Sequence, residues 1–193
     1  MTVFSYIFSF LCSQDPSRSF AIGGHLLPFC QRCTGVYLGL GITFIYLLVS
    51  RHYKKGLPPA SIIYVNIVSL LIMPIFGFHF LDPGPAWRLW SGLIFGNAVA
   101  SLLLPAASIV CNGGKVWGQY TKLSTFTFFI LFAFLNTLPL WFPIQSSFFT
   151  YAVLTLALIG LLCVLFCLIA VIAFLIKKIT VSLISTLISL MKS

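Results

Sequence analysis

Five apolar runs, at about 34–50, 60–81, 89–110, 124–142 and 148–176, are separated by short polar stretches, and they constrain this chain more than any other feature. Several approach or exceed the ~18 residues needed to cross a bilayer. Without water to satisfy the backbone, such segments must pair their peptide groups internally, which selects helices. The expected fold class is an all-α polytopic membrane protein with about five transmembrane helices. A short Cys-rich cap precedes the helices and a C-terminal interfacial helix follows them. Pro74 is an expected kink. The run 148–176 is longer than one upright crossing, so it must tilt or protrude. Lys177-Lys178 should stop it, leaving 177–193 as an amphipathic tail lying at the membrane surface. Residues 1–11 are apolar but too short to span. They lack the basic start and small-residue cleavage site of a signal peptide, so they read as an interfacial or re-entrant segment of the mature chain.

Composition excludes an ordinary soluble domain, because charged residues are 7% of the chain against about 25% in a typical soluble protein. A net charge of +9 would suggest nucleic acid in a soluble protein. Here the basic residues sit at span ends, where anionic headgroups and topology account for them, so the expected partner is the lipid bilayer and not nucleic acid. On alternate sides of five spans, Arg18, Arg32 and Arg88 fall on one side. Arg51, Lys54, Lys55, Lys115, Lys122, Lys177, Lys178 and Lys192 fall on the other. The richer side belongs in the cytoplasm. This predicts a multi-pass inner-membrane protein with its cysteine-rich segment outside.

The polar chemistry is concentrated between Cys12 and Gly39. The chain divides accordingly into the motif segment 1–33, a helix bundle over 34–176 and the tail 177–193. Residues 12–33 read as irregular, punctuated by Gly and Pro. Cys30 and Cys33 form a C-x-x-C at the mouth of the first span, a spacing that lets two thiolates grip one metal from a tight turn. The same spacing serves thiol–disulfide exchange, aided by a helix N-terminus that stabilises thiolate. Cys12 offers a third sulfur and His25 a fourth ligand, which would close a tetrahedral zinc site. The plainer alternative is small buried cysteines and a loop histidine bonded to backbone. His52 and His79 are weaker candidates. Cys163 and Cys167, four apart on the last helix, read as packing residues, and Cys111 carries no pattern.

Arg18 and Arg32 flank the cysteines, and Arg88 follows Asp82 by six residues. An Asp82–Arg88 pair would neutralise two costly charges near the membrane. The functional alternative is an anion- or phosphate-binding pocket, for which Arg supplies a planar fork of donors. Gly35/Gly39 and Gly92/Gly96 are both G-x-x-x-G, a spacing that lets helix backbones approach closely. Spans one and three are therefore expected to pack together, bringing the cysteine segment near Asp82 and Arg88. The same motif offers a route to a homo-oligomer or a membrane partner.

Cys12, Pro16, Arg18-Ser19-Phe20, Pro28, Cys30-x-Arg32-Cys33-Thr34-Gly35 and Gly39 resemble the signature of a family of small prokaryotic membrane proteins, domain of unknown function 2085. Asp82, Arg88, Gly92 and Gly96 are similar to its second block. The resemblance covers roughly residues 12–100. The family often has His directly after its first Cys, where this chain has Ser13, and the stretch between Asp82 and Arg88 is shortened. The resemblance implies no known activity. The preferred reading is a zinc-like metal held by Cys12, His25, Cys30 and Cys33 in a cap outside the membrane, with Asp82, Arg88, Arg18 and Arg32 as polar neighbours. A membrane thiol–disulfide oxidoreductase with Cys30/Cys33 as the active pair, and a structural or partner-binding subunit, are the alternatives.

Overall fold

The computed structural model describes residues 6, 8–9, 12–22, 25–77, 84–113, 115, 118–141 and 147–191. Side chains at 22, 25, 76–77, 138–141, 147–150 and 182–191 fall outside that description. In chain order come a 3-10 turn (Pro16–Arg18), strands β1 (Ser19–Ile22) and β2 (His25–Cys30), and helix α1 (Gln31–Val49). A second 3-10 turn (His52–Lys55) precedes α2 (Ala60–Gly77), α3 (Pro85–Cys111), α4 (Lys122–Trp141) and α5 (Ser147–Met191).

Three helices contain stretches long and apolar enough to cross a membrane, at Gln31–Val49, Pro85–Cys111 and Tyr151–Val181. The apolar helical stretches Ala60–Ile75 and Lys122–Thr137 are shorter. Burial ranks the three: 56% of the α1 window and 50% of the α3 window lie inside the chain, but only 11% of the α5 window does. Helices α1 and α3 thus form the centre. On α5 the side chains of Phe166 and Ile169 are largely exposed, as suits a surface whose solvent is lipid.

Glycines explain why α1 and α3 are the central pair. A Cβ on Gly35 would lie 2.1 Å from the Leu89 carbonyl oxygen, and one on Gly39 would lie 2.3 Å from that of Leu93. In return, Gly92 faces the Arg32 oxygen at 2.2 Å and Gly96 the Val36 oxygen at 2.2 Å. Every obstacle is backbone, so the two G-x-x-x-G motifs meet each other and bring two helix axes unusually close. These glycines are covered within the chain. A second seam is not apparent from the motif: a Cβ on Gly41 of α1 would lie 2.4 Å from the Leu156 oxygen, and one on Gly160 of α5 would lie 3.0 Å from Gly41 N. Deeper along the α1–α3 contact, the buried Thr43 hydroxyl donates to Asn97 Oδ1 at 2.9 Å. Interhelical bonds of this kind average about 0.6 kcal/mol, with a maximum near 1.7. Thr43→Val should therefore lower thermal stability only modestly, which a melting curve of the purified protein would measure.

Two local features differ from the sequence reading. Residues 19–22 and 25–30 are not irregular: β1 and β2 pair antiparallel, with Ser19 opposite Cys30 and Ile22 opposite His25. Alternation drives it, since Leu27 and Phe29 are buried while Leu26 is 56% exposed. Helix α5 does not stop at Lys177-Lys178 but runs as one 45-residue helix to Met191. No Gly or Pro follows Gly160, so nothing in the backbone interrupts it. At 1.5 Å per residue that is roughly 68 Å, twice the bilayer core.

Candidate metal centre

Three short pieces of chain converge at the start of α1. Cys30 ends β2 in extended conformation and caps the helix. Cys33 therefore lies in the first turn of α1, three residues further on. The Thr34 hydroxyl donates back to the Cys30 carbonyl at 3.0 Å, tightening this turn.

Cys12 comes from the N-terminal segment, which is held in place by packing. Phe8 and Phe29 are fully buried and meet edge-on at 4.9 Å, and Tyr37 of α1 completes the cluster at 5.1 Å from Phe8. The Cys12 amide donates to the Phe8 carbonyl at 3.0 Å. Gln14, in the left-handed region at φ 53°, donates its side-chain amide to the Pro28 carbonyl at 2.9 Å. Aromatic burial on one side and a backbone clamp on the other thus bring Cys12 over the C-x-x-C turn.

The three sulfurs lie within 4.8 Å of one another. Sulfurs on one tetrahedral zinc at ~2.3 Å sit about 3.8 Å apart, so a small contraction would place all three on one ion. None of the six cysteines is in a disulfide. The Cys30 amide donates to Cys12 Sγ at 3.2 Å, which fixes the position of that sulfur over the turn. The Cys30 thiol is pulled far below its ordinary value, to about 2, first by the thiols of Cys12 and Cys33 donating to it and then by the Cys33 and Arg32 amides. One negative charge on this cluster is cheap. Further thiolates this close repel one another unless a cation sits among them.

Among the polar neighbours, Arg88 reaches back to the cysteine turn. Arg88 Nη1 donates to Gln31 Oε1 at 3.0 Å. Gln31 is buried and was not singled out in the sequence, although its place between the two cysteines of C-Q-R-C was the available signal. Asp82 lies outside the described residues, as do His79 and the His25 side chain, so their expected roles rest on sequence. Arg18 approaches Asp15 at 3.6 Å on the exposed side of the cap. Asp15 also accepts from the Ser17 amide at 2.9 Å and from its hydroxyl, contacts that hold its carboxyl below the usual value.

The remaining candidates are elsewhere. His52 is buried beyond the other end of α1, between the rings of Tyr46 at 5.4 Å and Tyr120 at 5.5 Å. Cys163 and Cys167 pack into the apolar core as expected, and Cys111 is exposed at the end of α3.

The fold and the cluster define a helical membrane protein with a three-cysteine cap over its central helix pair. Residues 12–102 match the family model described as "Predicted membrane protein (DUF2085)", the family that the cysteine, arginine and glycine pattern resembles. Two curated relatives are both described as uncharacterised. The protein from Methanothermobacter thermautotrophicus is 36% identical over 70 residues, which is 36% of this chain and 57% of the relative. The one from Methanocaldococcus jannaschii is 44% identical over 104 residues, 51% of this chain and 65% of the relative. The chain thus spans 57% and 65% of these relatives' lengths. No solved structure matches.

Proposed function

We propose that this is a multi-pass membrane protein whose Cys12, Cys30 and Cys33 hold one zinc-like metal ion in a cap outside the membrane, on the cell (inner) membrane. The observation that carries the reading is the convergence of three sulfurs within 4.8 Å from segments eighteen residues apart. His25, expected as the fourth ligand, begins β2 at the turn end of the hairpin while Cys30 ends it. The extended strand between them, roughly 16 Å, is too long for both to bind one ion, so the fourth position is left to water or another donor. When bound, zinc would supply either a structural cross-link between the hairpin, the N-terminal segment and α1, or a Lewis acid at an exchangeable fourth position. This chain's residues supply three charge-balancing thiolates, a helix N-terminus that favours their ionisation, and a hydrogen bond from the Cys30 amide that orients Cys12. Metal analysis of protein purified without chelators tests the reading: about one metal per chain supports it, and metal-free protein contradicts it.

A second reading is favoured by the C-x-x-C at the N-terminus of α1 with a third sulfur in reach. Cys30 and Cys33 would give up two electrons and two protons to a membrane quinone, forming one disulfide and the quinol, with Cys12 as the resolving thiol. Thiol counting before and after quinone addition separates the two. A loss of two thiols per chain supports exchange, and an unchanged count supports the metal.

The orientation rests on the three-to-eight distribution of Lys and Arg between the two faces. Impermeant maleimide on intact cells should label Cys12, Cys30 and Cys33 after metal removal and reduction, and should leave Cys111 unlabelled. Labelling of Cys111 alone would invert the topology.

A further inference from the structure

Beside the cysteines is a cavity of about 190 Å3 lined by Ser13, Arg18, Cys30, Gln31, Arg32 and Arg88. We propose that it binds a phosphate group, carried by a lipid headgroup or a small phosphate ester. Three arginines from three separate elements line this one space: the Pro16–Arg18 turn, the first turn of α1 and the first turn of α3. Two of them stand at helix N-termini, and neither first turn contains an acidic residue. A cation at the positive end of a helix dipole is destabilising, whereas an anion there is stabilised. This placement of Arg32 and Arg88 weakens the empty fold and favours an anion bound between them.

The neighbouring charges do not reverse that balance. Asp15 is absent from the lining; its Oδ1 accepts from the Ser17 amide and hydroxyl, and its Oδ2 lies 3.6 Å from Arg18 Nε, so it offsets one of the three positive charges. Three thiolates around a divalent cation carry a net charge of −1, and with Asp15 counted at −1 the three arginines still leave the site at a net charge of +1. The donor set also matches phosphate. Guanidinium forks pair with its oxygens two at a time, and Ser13 adds a hydroxyl. Tight hydrogen bonding fixes Gln31 as the wall, because Arg88 donates to it at 3.0 Å. The proposal stands on these arginines and is independent of whether the cysteines hold a metal.

The test is ligand-dependent thermal stability of the purified full chain in detergent, titrated with inorganic phosphate and separately with dihexanoyl phosphatidic acid. Saturable stabilisation by inorganic phosphate assigns a free phosphate ester. Stabilisation by the phosphatidic acid alone assigns a lipid headgroup. Arg32→Gln and Arg18→Gln should each weaken the response about tenfold or more, the effect of losing a hydrogen bond to a charged group, while Arg51→Gln, outside the cavity, should not. Arg18 is on the exposed rim, so its variant remains informative if Arg32→Gln fails to accumulate. Metal content is measured in parallel and should be unchanged in Arg18→Gln. No stabilisation by either compound, or an undiminished response in Arg18→Gln, overturns the proposal.

Discussion

Cys12→Ser is expected to lose essentially all bound zinc, with an affinity decrease of more than about hundredfold. That exceeds the 10–100-fold cost of disturbing groups that merely hydrogen-bond to ligands. Cys30→Ser and Cys33→Ser should behave alike, because the three sulfurs share one point in space and two thiolates cannot close the site. Cys111→Ser, exposed at the far end of α3, should retain full metal. The stability consequence should also be large. A zinc held by these sulfurs would link the N-terminal segment to the hairpin and α1, and binding energy at a site that forms only on folding is folding energy. Chelator should therefore lower the melting temperature of the parent protein and leave that of Cys12→Ser unchanged. Equal metal content in Cys12→Ser and the parent would remove Cys12 from the ligand set.

Gly39→Leu and Gly92→Leu are expected to be the most damaging substitutions outside the cap. Overpacking an ordinary core costs about 1–3 kcal/mol because side chains can shift. Here the first added carbon already falls 2.3 Å from the Leu93 oxygen at Gly39, and 2.2 Å from the Arg32 oxygen at Gly92. Only separation of α1 from α3 relieves that clash, so a cost of about 3 kcal/mol or more is expected. It would appear as lost accumulation and protease sensitivity in the membrane fraction. Gly160→Leu should be damaging as well, since Gly160 packs on Gly41 of α1. The suitable control is Val68→Leu, at a position 41% exposed on α2, which should be neutral. Parent-like accumulation of Gly39→Leu would contradict the close α1–α3 contact.

Much of this architecture is legible in the sequence because bilayer physics leaves few options. Apolar length gives the helices, and small residues four apart identify the pair that touches. The convergence of Cys12 with Cys30 and Cys33 was readable from residue type together with the C-x-x-C spacing. Other features depend on information that local pattern does not carry. The hairpin was hidden because β1 is only four residues long and Pro28 interrupts the strand pattern of β2, so its alternation emerges only with Phe29 buried against Phe8 and Tyr37. The continuity of α5 was missed because two lysines look like a stop, although charge does not break a helix as Pro or Gly does. The bond from Arg88 to Gln31 joins residues 57 positions apart, a contact that only tertiary packing creates.

Zinc K-edge X-ray absorption on the purified protein tests the central claim most directly. Three sulfur scatterers at about 2.3 Å with one nitrogen or oxygen near 2.0–2.1 Å are predicted. An edge from stoichiometric zinc with only nitrogen and oxygen neighbours, or no zinc in protein that has never met a chelator, would contradict the three-cysteine metal centre.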